Sequence, residues 1–373
     1  MKILLLSAYD AHSHRYWWRG LKAAMPEHDW TVLTLPARHF AWRIRGNSLS
    51  WGLGEHQLLN QSYDLLIATS MTDLSSLRGL VPHLAGIPSL LYFHENQFAY
   101  PLGNQARPQV EPQIVSLYAA LAADYLCFNS AYNRNTFLSG AALLLDRLPD
   151  HIPDGIGESL QQKSSVLAVP LQAAAGAASA NKNRHGPIQI LWNHRWEYDK
   201  APERLLLALR KLTDNHIDFR LHITGQQFRN QPDAFASIKD AFHQHIDTWG
   251  YIEDADSYQA LLRRCDVVLS TALHDFQGLA ILQAVQAGCL PVVPARLAYP
   301  ELLPATCCYD SHSQSPEQES EALAGHLAQL AQLHASGSLP AAPDISALSW
   351  ANMASDYRDL LHSIAQPKAT GLG

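Results

Sequence analysis

The sequence predicts an α/β protein built from two doubly wound domains of similar size. Three observations predict it. Short, continuously apolar runs alternate with helix-like stretches as far as Leu145. The alternation breaks at LQAAAGAASANKN, which starts at Leu171, and restarts at Ile188. Apolar strands separated by helices form a parallel sheet covered on both faces, and 373 residues suit two domains better than one.

In the first half, Lys2–Ser7, Trp30–Leu35, Asp64–Thr69, Ser89–His94 and Tyr125–Asn129 read as strands. His14–Met25, Gln113–Ala123 and Ala131–Leu145 have helical spacing. In the second half the strands are Ile188–Asn193, Phe219–Thr224, Thr248–Ile252, Val267–Thr271 and Pro291–Pro294. The helices between them are Pro202–Leu212, with proline in its first turn, Asp233–His245, Asp256–Arg264 and Gly278–Ala287. Ser313–Glu321 is polar and reads as a surface loop, and Trp350–Ile364 as an amphipathic closing helix. The predicted boundaries are a first domain at 1–170, a flexible linker at 171–186, a second domain at 187–348, the closing helix at 349–365 and a frayed tail at 366–373. Ligands of such sheets bind outside the carboxyl ends of the strands, so a cleft between the domains is the expected site.

Composition narrows the class. No apolar stretch is long enough to cross a membrane, and Asp10 and His12 arrive too early for a signal-peptide core, so a cytoplasmic protein is expected. Nothing suggests an obligate protein partner. The five cysteines, at 127, 265, 289, 307 and 308, have no zinc spacing and read as reduced core thiols. The net charge of −7 argues against coating nucleic acid through the overall field. It leaves room for local basic patches: Arg15, Arg19 and Lys22 after the first strand, and Arg38, His39, Arg43 and Arg45 in what reads as one loop.

The first strand ends in Ser7-Ala-Tyr-Asp-Ala-His-Ser-His14 without the glycines of a dinucleotide-binding turn, which disfavours an NAD or FAD enzyme. Asp10, His12 and His14 have the spacing of an incomplete hydrolytic metal site, to which His94 and Glu95 would add ligands. The other reading is that they face the cleft and hold an acceptor. His94 closes a strand; with Glu95-Asn96-Gln97 behind it, a site role is favoured over a buried structural histidine.

In the second domain, Asn193-His-Arg195 and Lys200 follow a strand. Arg195 and Lys200, five apart, suit a diphosphate, although pairing with Glu197 or Asp199 would give the same letters. From Leu269 a strand passes through Asp275 and Gly278 into a helix that begins at Leu279, carries Gln283 and stops at Gly288. Backbone N–H groups at that helix start favour a phosphate, and Asp275 and Gln283 can accept hydrogen bonds from hydroxyls. Asp254-Ala-Asp256 has the look of a metal-binding DxD, but it sits where a helix begins and reads as a cap.

The segment from Leu269 to Val293 resembles the signature of retaining GT-B glycosyltransferases. Gly250–Val267 and the spacing of Arg195 and Lys200 resemble the same group. Asp275 and Gln283 stand where that group usually has glutamates. A closer resemblance runs from the first strand to about Pro304. Leu35–Gly46, Phe93–Gln97, Phe128–Ser130 and Trp192–Lys200 look like the tRNA-queuosine mannosyltransferase family.

The resemblance implies a retaining transfer of mannose from GDP-mannose to queuosine in tRNA, without a metal or other cofactor. It implies catalytic roles for His94, Arg195 and Lys200, and a donor site of Asn193, Arg195, Lys200, Asp275, Gly278, Leu279 and Gln283. The acceptor would meet His12, His14, Arg38, Arg43, Arg45, Glu95 and Asn96, with Trp42 either stacking on a base or buried in a solvated loop. A small-molecule or lipid acceptor, a non-catalytic nucleotide binder and a metallohydrolase are the alternatives.

Overall fold

The computed structural model describes residues 1–100, 110–173 and 186–366. The chain divides into two compact units. One is Met1–Gln172 together with the chain from Leu348 onward, and the other is Ala173–Ala347.

The first unit holds a six-stranded parallel sheet of β1 (Lys2–Asp10), β2 (Asp29–Pro36), β3 (Leu65–Thr69), β4 (Ser89–Phe93), β5 (Tyr125–Phe128) and β6 (Ser164–Val166), in the order β2-β1-β3-β4-β5-β6. β1, β3 and β4 are apolar on both faces because helices cover both. Leu4, Leu6, Leu66, Leu91 and Phe93 are fully buried on one face, each stabilising the fold by roughly 1.5–3 kcal/mol. On the other, Trp17 of the helix His12–Ala24 stacks on Tyr92 at 4.1 Å. Strand order reverses between β1 and β3, so their carboxyl ends open a crevice.

The helix Trp350–Ala365 belongs to this unit. Leu171 and Ser349 form a β-bridge, and the indole of Trp350 lies against Gly20, where a Cβ would be 2.3 Å from Nε1. The Tyr357 hydroxyl donates to the Ala168 carbonyl at 2.9 Å and receives the Trp17 indole N–H at 3.1 Å.

The second unit repeats the plan with β7 (Ile188–Asn193), β8 (Phe219–Thr224), β9 (Ile246–Gly250), β10 (Val267–Leu269), β11 (Leu290–Pro294) and β12 (Cys308–Tyr309), all parallel and ordered β12-β11-β10-β7-β8-β9. Its reversal point lies between β7 and β10. All five cysteines are free thiols; Cys308 alone is not buried.

Two expected loops are helical. Phe40–Gly54 is a helix, so Arg43 and Arg45 sit on helical turns. Its inward positions, Ile44, Asn47, Ser48 and Trp51, have helical spacing, but two of them are polar and hide the pattern. Asn47 donates to the carbonyls of Arg43, Ile44 and Met71 and accepts from the Asp73 N–H, which is why it is buried. Pro316–Ala335 is a helix entered through Ser315, whose hydroxyl accepts from the Gln318 N–H. Its Glu319 is buried between Arg204 and Arg296. β6, β12 and the short helices Leu74–Leu80 and Ile156–Gln162 were not expected from periodicity. Most of the expected linker, and the tail from 367, lie outside the described residues.

Candidate active site

In the second unit, β7 delivers its last residue, Asn193, to the reversal point. The Asn193 amide donates to the Tyr258 hydroxyl and to the Ala280 carbonyl, both at 3.0 Å, and its Oδ1 is buried without a partner. Gly225, at φ 147°, lets β8 pass under this turn, since a Cβ there would lie 1.8 Å from the His194 carbonyl oxygen. The chain then reaches Lys200, which is buried. Its Nζ donates to the His274 carbonyl at 2.5 Å and lies 3.5 Å from Asp275 Oδ2 and 3.3 Å from Asp199 Oδ2.

Asp275 fixes the following turn: its Oδ1 accepts from the N–H of Gly278 at 2.8 Å and of Gln277 at 3.4 Å. Burial raises the Asp275 pKa, but Lys200, His194 and the Gly278 N–H outweigh it and bring the carboxyl down to about 2. His194 is held at about 3 by burial first and then by Lys200, so it is a neutral imidazole. Gly278 has φ 75° and packs on Tyr299, where a Cβ would sit 2.6 Å from the ring. Asp275 takes the N–H of Gly278, the N-cap residue of the helix Leu279–Gln286, and Gly278 offers no side chain to cap the N–H groups of the first turn, which are left to meet an anion. Leu279 and Gln283 are half-buried on its first turns. Arg195 is half exposed, with Nη1 at 2.8 Å from Glu197 Oε2.

Both pairings that would explain these cations without a ligand are therefore present. They differ in kind: that of Arg195 is at the surface, whereas Lys200 is caged with Asp199, and its ammonium also ties Asp275 to the helix start. Asp275 spends both oxygens inside this turn, which makes it a strut rather than a ready acceptor for hydroxyls. Asp199 is the pairing partner the sequence offered; His194 and His274 were not singled out, and the run from His194 to Lys200 was the signal for the first of them.

In the first unit, the crevice at the carboxyl ends of β1, β3 and β4 gathers His14, His94 and Glu95. The rings of His14 and His94 lie 4.2 Å apart, and His94 also contacts Trp17 and Tyr92. Glu95 Oε1 is 3.4 Å from His14 Nε2 and 3.5 Å from the Ser70 hydroxyl. The His14–Glu95 approach is an ion-pair distance without hydrogen-bond geometry, so His14 Nε2, His94 Nε2, Thr69 Oγ1 and Thr72 Oγ1 are buried polar atoms lacking hydrogen bonds. Such atoms are costly unless something polar enters. Burial first, and the neighbouring His14 second, push the His94 pKa well below that of a free histidine. Thr69 ends β3, Ser70 and Thr72 follow it, and none of them carried a motif in the sequence.

The remaining expected site residues divide. Asn96 is turned inward: its amide donates to Asn133 and Thr136, and its oxygen accepts from the N–H groups of Phe98 and Ala99, so it braces the loop after β4 and has no free polar atom. Arg43 is buried. Arg45 is half exposed and lies 3.1 Å from Asp73 and 3.5 Å from Glu111. His12 and Arg38 are exposed. Asp10 is buried and takes the Ser7 hydroxyl, Arg15 and the Trp18 indole N–H, so it does not converge with His12 and His14. Among the described residues no group of three or more His, Cys, Asp or Glu could hold a metal ion, and no helix is long and apolar enough to cross a membrane. Asp254 caps the helix Ala255–Arg264 by accepting from the Ser257 N–H.

Solved structures share this architecture. Sucrose-phosphate synthase from Thermosynechococcus elongatus aligns with a TM-score of 0.70 over 98% of this chain and 99% of that one, at 13% identity. HepE from Anabaena, solved with UDP and glucose, aligns with a TM-score of 0.64 over 97% and 100%, also at 13%. Residues 188–332 match the family described as glycosyl transferases group 1. Fold, switch-point turn and family together define a glycosyltransferase of the GT-B class. Residues 2–171 match the family described as tRNA-queuosine alpha-mannosyltransferase N-terminal. A tRNA-queuosine alpha-mannosyltransferase from Drosophila melanogaster is 31% identical over 319 residues, 83% of each chain. The chain belongs to the tRNA-queuosine alpha-mannosyltransferase family.

Proposed function

We propose that this glycosyltransferase moves mannose from GDP-mannose to queuosine in tRNA, with retention at the anomeric carbon, in the cytoplasm. The observation that carries the donor half is the turn at the end of β7 and β10. There the buried Lys200 ammonium is joined through Asp275 to an uncapped helix start at Gly278. A diphosphate placed on that start would meet fixed backbone N–H groups that need no rearrangement as negative charge grows on the leaving group, while Lys200 offsets the Asp199 and Asp275 carboxylates beside it. Arg195 would add a planar fork of donors from the rim. In this reading the leaving phosphate takes the acceptor proton, and no metal is required because side chains and dipole supply the positive charge. The acceptor half rests on the crevice of the first unit, where buried atoms of His94, Thr69 and Thr72 without a hydrogen bond suit a hydroxylated ring.

The test is transfer of label from GDP-[¹⁴C]mannose to purified tRNA that carries queuosine, beside the same tRNA with guanosine at that position. Label in the first alone supports the proposal. Label in neither, or equally in both, overturns it.

A further inference from the structure

We propose that Trp42 is a stacking platform for an unpaired RNA base, held open by Gly46 and set in a basic rim around the first-unit crevice. The proposal rests on the reading of the acceptor as tRNA.

Trp42 lies in the first turn of the helix Phe40–Gly54 and is 57% exposed. Its indole is laid along the helix over Gly46. A Cβ built at position 46 would fall 2.3 Å from Trp42 Cε2 and 2.6 Å from Cζ2. Glycine inside a helix is disfavoured relative to alanine, yet here its missing side chain is what lets the ring lie flat. A large aromatic kept flat and open to water is the geometry that single-stranded nucleic acid uses, since every base offers a π-face.

The surroundings fit a polyanion. β1 and β2 pair so that Asp10 faces Pro36, which sets Arg38 beside the loop that leads to His12 and Arg15. The ring of Tyr9 meets that of Phe40 at 6.2 Å, tying the start of the Trp42 helix to the end of β1. Arg45, one turn on, reaches Asp73 just past β3. Arg38, Trp42, Arg45 and Arg15 thus edge the end of the sheet where His14 and Glu95 line the crevice; Arg15 is paired with Asp10 and Arg45 with Asp73 and Glu111, so the exposed Arg38 is the cation the proposal relies on. Residues 1–54 hold seven Lys or Arg against three Asp or Glu, although the whole chain is at −7. An RNA loop lying here would rest a base next to the modified one on Trp42 while its backbone meets Arg38.

The experiment measures RNA affinity by fluorescence titration with queuosine-containing tRNA, together with transfer rate and melting temperature, for Trp42→Ala, Trp42→Phe, Gly46→Ala and Arg38→Ala. Stacking on one base is lost in Trp42→Ala, so affinity should fall roughly 5- to 150-fold, and Trp42→Phe should recover most of it. Gly46→Ala should weaken RNA to a similar extent, because the new methyl evicts the ring, without lowering the melting temperature. Arg38→Ala should reduce the slope of log affinity against log salt by about 0.7–0.9. Wild-type affinity in Trp42→Ala or Gly46→Ala overturns the platform. Leu49 and Leu53 are exposed further along the same helix, so anionic phosphatidylserine vesicles form a parallel arm; binding to vesicles that is lost with Trp42 while tRNA binding persists also overturns it. A wild-type protein that binds tRNA through Trp42 but transfers no mannose leaves the platform standing and refutes the proposed function instead.

Discussion

Replacing Arg195 with alanine separates chemistry from folding. The guanidinium is 48% exposed, and its Nη1 meets Glu197 Oε2 at 2.8 Å. An exposed pair of this kind contributes about 0.2–1 kcal/mol. For a domain the size of the second unit that is a melting shift of about 2–4 °C at most. If Arg195 stabilises the leaving diphosphate, its charge-assisted contacts are worth up to about 3 kcal/mol in the transition state, and turnover should fall about 10²-fold. The assay is the initial rate of label transfer at saturating GDP-mannose and tRNA, paired with a thermal melt. Little change in melting with a large drop in turnover is expected. Turnover within threefold of wild type would remove Arg195 from the donor site. Lys200 is a poorer first probe, because losing it strands Asp199 and Asp275 beside each other in a buried turn and is expected to cost about 3–5 kcal/mol of stability.

Other consequences follow from the same turn. His194 binds its proton at about 3 in the folded chain against 6.5 for the free group, so the unfolded state takes up protons first as pH falls below 6.5. Its share of stability, present above pH 6.5, should have fallen by about 3 kcal/mol at pH 4, and a His194→Gln variant should lose that slope in urea titrations at pH 7 and pH 4. Asp275, lowered to about 2 from 3.8, contributes about 2 kcal/mol that is present above pH 4 and lost as pH falls through 2. Asp275→Asn should therefore be destabilised at pH 7 by about that amount in the same titration. Gly278→Ala forces a positive φ on a side chain and drives a methyl into the Tyr299 ring; a loss of about 2–4 kcal/mol, with a raised KM for GDP-mannose, is expected in denaturation and rate measurements. Transfer should also survive excess EDTA, since the proposed charge stabilisation comes from Arg195, Lys200 and a helix start.

Much of the fold was legible because buried parallel strands announce themselves. The expected Ile188–Asn193 and Phe219–Thr224 coincide with β7 and β8, and Ala131–Leu145 with its helix. What periodicity missed had polar residues on the inward face. Asn47 and Ser48 made the helix Phe40–Gly54 look like a loop, and Glu319, buried by two arginines, did the same for Pro316–Ala335. The Ser315-Pro316 start was the signal for the second. In the site, the spacing of Arg195 and Lys200 was visible, but the cage around Lys200 was not. His274 takes part through its backbone carbonyl, which leaves no mark on side-chain chemistry. Asn96 shows the reverse. Its place after His94 and Glu95 suggested a ligand contact, whereas its amide is spent bracing a loop. The crevice threonines stayed silent because a threonine at a strand end is unremarkable until its hydroxyl is found buried and unpartnered.

The most direct test of the central claim is mass spectrometry of the nucleosides released from queuosine-containing tRNA after incubation with the purified protein and GDP-mannose. The account predicts queuosine heavier by one hexose, which α-mannosidase removes. Unchanged queuosine, or a hexose that resists α-mannosidase, would contradict it.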